Sequence, residues 1–316
     1  MQAFVRSTNT SPLQWKVVSV QVVALPHRKP KHMKITGPSV YLFCYMLSLL
    51  PLRFLYGLSD ALFVLVYYVL GYRKKIVATN IQNAFPAKCM QERNDLEKAF
   101  YRHLCDLCIE QVKALSIKPC ALNKRVTIDH TPLFEEFYKK NQSILLVAGH
   151  LGNWEWTAHV LALQTPYTVC AAYQPLHQHG MNQMALCLRT RFQRKAIPMH
   201  SIAQYLLRYK GPAQAVSFLI DQAPFNTHTC CWTTFLGQPT AVAVTAAKLA
   251  QKCNFPIFYM ETHQIKRGHY RIRPILLTAA PHTLSVQEIA CSYTQQLEAD
   301  ILRNPSIWLW SHRRWK

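Results

Sequence analysis

Glycine is scarce in this chain, with nine among 316 residues. That argues against a nucleotide-binding or all-β architecture built on glycine-dense loops. No Gly-x-Ser-x-Gly elbow, phosphate-binding loop or dinucleotide fingerprint occurs, so the sequence offers no covalent serine chemistry and no nucleotide cofactor. Acidic side chains are also few: 15 Asp and Glu stand against 36 Lys and Arg, a formal net charge of +21. A surface this basic attracts an anionic partner, whether a phospholipid face, a phosphorylated sugar, an acidic carrier protein or nucleic acid. No nucleic-acid-binding motif accompanies the charge, which sets nucleic acid aside.

A disulfide framework is missing too. The eleven cysteines are scattered, odd in number and mostly set in apolar runs, and a chain of this length needs no stapling. Cys105 and Cys108 have the spacing of a redox or metal pair. They lie in a helical stretch with no second such pair, so no metal site is expected. Buried reduced thiols, and hence a reducing compartment, are the simpler reading.

No clean transmembrane run appears. Residues 1–32 are basic and polar, with a short apolar stretch at 17–25 and no cleavage signal behind a proper apolar core. They read as an unstructured extension, with Met33 as an alternative start. Residues 40–70 hold two apolar blocks of roughly 13 and 17 residues, split by Pro51 and Arg53, whereas one span needs about 20. A tilted helix, a broken hairpin and an in-plane anchor stay open, and so do two buried core helices. Tyr72, Arg73, Lys74 and Lys75 put aromatic and cationic groups at the end of these blocks. The positive-inside tendency then leaves the rest of the chain in the cytoplasm. The expected organisation is an extension over 1–32, a membrane anchor over 38–72 and a catalytic domain over 73–316.

Beyond the anchor, apolar runs alternate with helical stretches. A helix is expected over 91–115, then strands at 143–148, 167–173, 196–199, 215–220, 256–262 and 271–277. Helices are expected near 153–163, 181–194, 241–252 and 285–303. This alternation implies an α/β fold, a mainly parallel sheet covered by helices. Active sites of such sheets gather at the carboxyl ends of the strands.

His150 stands at such an end, in Gly149-His150-Leu151-Gly152-Asn153-Trp154-Glu155. A core histidine is the bland alternative. On one regular helix a five-residue offset turns two side chains about 140° apart. His150 and Glu155 therefore meet only if His150 lies in the turn before the helix, which Gly149 and Gly152 make easy. A carboxylate on one imidazole nitrogen fixes the tautomer and raises the basicity of the other, which can then take a proton from a hydroxyl. With no serine or cysteine nucleophile beside it, direct hydroxyl activation is the natural chemistry.

The same segment resembles the H-x4-D/E acyltransferase signature, in the form found in the bacterial lipid A biosynthesis (lauroyl/myristoyl) acyltransferase family. Further segments resemble that family in order: Gly71-Tyr72-Arg73 with Asn80 through Pro86, then Tyr173-Gln174-Pro175 with Leu188-Arg189-Thr190-Arg191-Phe192. After them come Asp221-Gln222, Phe235-Leu236-Gly237, Leu297-Glu298, and Pro305 through Lys316. The likeness runs from about residue 38 to 316, and residues 1–32 show no counterpart. The family often carries glycine where this chain has Gln193, and residues 226–232 are unusually rich in Thr and Cys.

The resemblance implies an O-acyltransferase without a cofactor, in the inner membrane of a Gram-negative bacterium. Its donor would be an acyl thioester on acyl carrier protein, with coenzyme A as the other possibility. Its acceptor would be the hydroxyl of an acyl chain on a phosphorylated glucosamine disaccharide. His150 would be the base and Glu155 its partner, and Asn153 belongs to the same substrate-binding motif. Arg189 or Arg191 would hold the thioester oxygen or a phosphate, unless they form a solvated helix face. Asp221 and Gln222 would orient substrate or arginine, or simply make a turn. Arg313 and Arg314, flanked by Trp308, Trp310 and Trp315, would meet phosphate at a headgroup interface, unless they are an ordinary basic tail. An acyltransferase for a glycerophospholipid or amino-acid lipid, and a non-catalytic membrane lipid-binding protein, are the competing readings.

Overall fold

A computed structural model describes residues 36–175, 179–224 and 230–315. The expected extension over 1–32, and the question of Met33, lie outside the described residues. Helix α1 (Thr36–Ser48) is followed at once by α2 (Leu52–Val64). Pro51 separates them: it has no N–H to continue the first helix, but its fixed φ suits the start of the second. A π-helical turn over Leu65–Val69 extends α2. Leu52–Val69 is thus one helix long and apolar enough to cross a membrane.

Next come α3 (Lys74–Ala84) and α4 (Met90–Lys113). Leu52, Leu55, Ser59, Phe63 and Tyr67 recur at helical spacing and are all buried, so one side of the α2 helix faces the protein along its whole length. Polar pairs fix its register on α4: Tyr56 donates to Glu110 (2.8 Å) and Ser59 to Asp106 (2.7 Å). The opposite side leaves Phe54, Leu58, Val64, Leu65 and Tyr68 exposed.

The alternating part runs α5 (Pro119–Asn123), β1 (Val126–Ile128), α6 (Pro132–Lys139), β2 (Ile144–Ala148), α7 (Trp154–Gln164) and β3 (Thr168–Tyr173). It continues with α8 (His179–Arg189), β4 (Lys195–Pro198), α9 (Ile202–Arg208), β5 (Gln214–Leu219), β6 (Cys230–Phe235) and β7 (Gln238–Ala243). The last elements are α10 (Thr245–Cys253), β8 (Ile257–Lys266), β9 (His269–Thr278) and α11 (Val286–Arg303). Seven strands form one sheet in the order β1-β9-β8-β2-β5-β3-β4. Only the β8–β9 hairpin is antiparallel within it. The fold is α/β, a mainly parallel sheet covered by helices.

Strand parity explains the two cores. Along β2, Leu145 and Val147 pack with Ala247 and Ala250 of α10 and Tyr293 and Leu297 of α11. Ile144 and Leu146 pack on the other face with Trp156, Val160 and Leu161 of α7 and Phe137 of α6. Both faces of β2 are covered, which is why it reads as an unbroken apolar run.

One expected element differs. The helix read over 241–252 starts only at Thr245, because residues 241–243 end the β6–β7 hairpin. Its two-residue turn, Leu236 and Gly237, takes φ of +51° and +74°, the twist that joins antiparallel strands most tightly. Phe235-Leu236-Gly237 is therefore a hairpin corner. The Leu236 N–H donates to Glu298 of α11 (2.9 Å), which joins two of the family-like segments.

Candidate active site

The turn between β2 and α7 is built from two glycines with different duties. A Cβ on Gly149 would run into Leu297 and Leu151, so that position needs close approach. Gly152 has φ +54°, and a Cβ there would meet the Tyr270 ring at 3.0 Å. Asn153 is fully buried and caps α7, its Oδ1 accepting from the Trp156 N–H (2.9 Å) while its amide donates to Glu110 (2.8 Å). Asn153 thus shapes the turn rather than facing the cavity.

His150 lies in this turn, and its partner is Asp221. The carboxylate receives the ring Nδ1–H at 2.6 Å, the His150 backbone N–H at 2.8 Å and the Trp308 indole N–H at 2.8 Å. Burial acts to raise the Asp221 pKa, but the His150 imidazole and its hydrogen bonds, with His312 behind them, hold it well below the ordinary carboxylate range. An ionised carboxylate only accepts, so Nδ1 carries a hydrogen, and in the neutral ring the lone pair is then on Nε2. Nε2 stands 3.5 Å from the Gln222 amide nitrogen. His150, Gln222, Glu155 and Arg189 line one cavity of about 600 Å³ at the carboxyl ends of the strands.

Glu155 lines that cavity without holding the histidine, a correction to the pairing suggested by their spacing. Its oxygens go to Arg189 Nε (3.0 Å) and Arg194 (3.2 Å). The cause is the sharp turn at Gly152, after which the first turn of α7 presents Glu155 to the end of α8. Burial raises the Glu155 pKa, and the Arg194 and Arg189 guanidiniums more than reverse this. Arg194 is 4% exposed and also meets His159 Nδ1 at 3.1 Å. Burial and that cation push His159 down to about 3.

The other cationic candidates fall elsewhere. Arg191 turns away from the cavity and donates to the carbonyls of Ala114 and Ile117, just past the end of α4. Arg313 is exposed, Arg314 is buried with its guanidinium 5.8 Å from the Phe235 ring centre, and neither lines the cavity. Trp308 and Trp310 are fully buried, which corrects their reading as a headgroup belt. The stretch they occupy braces the His150 turn: Leu309 N–H donates to the His150 carbonyl (3.2 Å), and Gly152 N–H donates to the Ile307 carbonyl (3.1 Å). Asn80 in turn donates to the Trp310 and His312 carbonyls, and Arg73 to Ser311. The family-like segments around residues 71–86 and 305–315 thus meet under the site.

Neither Arg194 nor Trp308 carried a sequence signal of its own for these contacts. Gln193 takes φ +61° and Phe192 +55°, so the chain keeps a left-handed turn where the family often has glycine. That turn brings Arg194 back toward Glu155. Among the described residues no group of three metal-ligating side chains occurs, and no cysteine is in a disulfide.

Residues 27–316 match the bacterial lipid A biosynthesis acyltransferase family. The chain belongs to that family. Its members are acyltransferases, so the protein is an O-acyltransferase of lipid A biosynthesis. The match begins ahead of Met33 and so reaches into the segment 1–32, which on sequence showed no counterpart. No match was found among curated proteins.

Proposed function

We propose that the protein moves a fatty acyl chain from an acyl thioester to a hydroxyl of a lipid A precursor, with His150 and Asp221 as the proton-transfer pair. The carrying observation is the ring of His150, fixed by Asp221 at Nδ1 and lining a 600 Å³ cavity. Nε2 takes the proton of the acceptor hydroxyl as its oxygen attacks the thioester carbonyl. The tetrahedral intermediate collapses, the C–S bond breaks, and the imidazolium returns its proton to the leaving thiolate. Asp221 stays ionised and stabilises the imidazolium.

Arg189 is the cation offered to the developing oxyanion or to an acceptor phosphate, and Glu155 with Arg194 sets its position. A preorganised donor of this kind is worth roughly 3 kcal/mol in the transition state. Gln222 contributes an amide beside Nε2. In this reading Glu155 serves the reaction through the arginine, not through the histidine.

The net charge of +21 supports acyl carrier protein as the thioester's bearer, and a phosphorylated glycolipid as acceptor. The family is usually membrane-associated. The exposed apolar side of α1 and α2, with Arg53, Arg73 and Lys75 nearby, suits an anionic bilayer surface. Because α2 is buried along one whole side, the in-plane arrangement is favoured over a crossing one. We place the catalytic domain on the cytoplasmic side of the inner membrane.

The test is transfer in vitro with purified full chain, offering acyl carrier protein and coenzyme A donors, and lipid A precursor and lysophospholipid acceptors. Transfer to the lipid A precursor that vanishes in His150→Ala is expected. Acylation of lysophospholipid alone would refute the acceptor.

A further inference from the structure

The buried charge behind the His150 turn belongs to Glu110. This carboxylate of α4 is 0% exposed and takes no part in the proton transfer. Its Oε1 accepts from the Tyr56 hydroxyl of α2 at 2.8 Å. Its Oε2 accepts from the Asn153 amide at 2.8 Å and from the Tyr270 hydroxyl of β9 at 3.1 Å. All three donors are neutral, Asp106 nearby has the same charge, and no cation pairs with Glu110 among the described residues. A carboxylate buried without a counter-charge is a poor source of stability, because its desolvation outweighs what neutral donors return. Its contacts give it another duty.

Glu110 holds the turn at two points. Asn153 is the N-cap of α7 and stands three residues after His150. Gln111, the next residue of α4, donates to the Asn153 Oδ1 at 3.3 Å, so both ends of that amide answer to α4. Tyr270 is the second point. Its hydroxyl is on Glu110, and its ring covers Gly152, where an added Cβ would lie 3.0 Å from it. The carboxylate thus fixes both residues at which the chain passes from β2 into α7. The third donor comes from elsewhere: Tyr56 lies on α2, between buried Leu55 and Ser59 on one side and exposed Phe54 and Leu58 on the other. One carboxyl group therefore bridges the helix with the exposed apolar side and the turn that carries His150.

We infer that Glu110 is a positioning residue for the transfer reaction, through which α2 supports the His150 turn by way of Tyr56 instead of serving only as a tether to lipid. Without the Tyr56 hydroxyl, Oε1 loses its donor and the carboxylate is free to rotate. Asn153 then no longer sets the entry into α7, and the His150 ring loses its angle on Asp221. Glu110 touches neither substrate nor reacting atom. What it sets is the alignment of the imidazole and not the binding of lipid. The proposal rests on the acyltransfer reading above.

The experiment compares full-chain variants in detergent by transfer kinetics, melting temperature and proton NMR of the His150 Nδ1–H. That hydrogen is the downfield resonance missing from His150→Ala. Tyr56→Phe should lower kcat about tenfold, leave the acceptor KM unchanged and shift or broaden the resonance. Glu110→Gln should do the same at least as strongly. Ser59→Ala is the control: it removes another bond between α2 and α4, from Ser59 to Asp106 at 2.7 Å, and leaves Glu110 untouched. It should lower the melting temperature as Tyr56→Phe does, with wild-type kcat and resonance. Equal kinetic loss in Ser59→Ala and Tyr56→Phe, or a wild-type kcat in Tyr56→Phe, overturns the role of Glu110 while transfer itself stands. A resonance that responds to Tyr56→Phe and not to Ser59→Ala, in a protein that transfers nothing, supports the link and removes the function.

Discussion

Asp221 accepts both the ring hydrogen and the backbone hydrogen of His150, one on each carboxylate oxygen. The imidazole cannot tilt without breaking one contact, nor can the turn shift without breaking the other. A third donor, the Trp308 indole, immobilises the carboxylate itself.

Replacing Asp221 by Asn keeps the shape but allows the wrong ring tautomer. Asp221→Asn should lower kcat by roughly 10³–10⁴-fold, with a smaller effect on KM. Steady-state transfer rates check this, and a kcat within tenfold of wild type would remove Asp221 from the proton-transfer pair.

Glu155 answers two guanidiniums, and Arg194 is buried with it. Glu155→Ala leaves Arg194 charged and without its carboxylate, so a loss of about 3–5 kcal/mol is expected. The double variant Glu155→Ala with Arg194→Met should recover much of that loss in urea unfolding, without recovering transfer. Additive losses would mean that the two side chains are not coupled.

The two arginines of the same motif should separate cleanly. Arg189→Ala should cut kcat by about a hundredfold, as for a lost oxyanion or phosphate donor. Arg191→Ala should lower the melting temperature, because its carbonyl partners lie at the end of α4, and leave kcat near wild type. Equal kinetic damage from both would place Arg191 in the reaction after all.

Glu110 gives a pH signature. Burial pushes its carboxyl up to about 7, against hydrogen bonds from Asn153, Tyr56 and Tyr270 that act to lower it. A folded pKa above the unfolded value of 4.5 means that the folded state binds more protons between the two. Its contribution is full below pH 4.5 and is lost as pH rises through about 7. Denaturant midpoints of wild type should therefore fall from pH 5 to pH 8 more than those of Glu110→Gln. Parallel curves would exclude Glu110 as the group responsible.

The sheet was legible because β2, β3 and β5 are buried on both faces and alternate with amphipathic helices. His150 was legible from its strand-end position, and Asp221 from the same position after β5. Their contact was not, since 71 residues separate them and only the adjacency of β2 and β5 brings them together. Proximity in sequence pointed to Glu155 instead, and the geometry of the Gly152 turn decided otherwise. The β6–β7 hairpin went unread because Pro239 and the Thr-rich β6 resemble loop composition. The tryptophans near residue 310 read as an interface because composition alone does not reveal which indoles are buried.

The stretch 307–312 has a double attachment. Ile307, Trp308 and Trp310 are buried in the same core as Leu145 and Val147 of β2, while Leu309 and the Trp308 indole hold the His150 turn and Asp221. A substitution that loosens those indoles therefore disturbs the position of the imidazole and the packing of the sheet together, so stability and transfer are tied through one short segment.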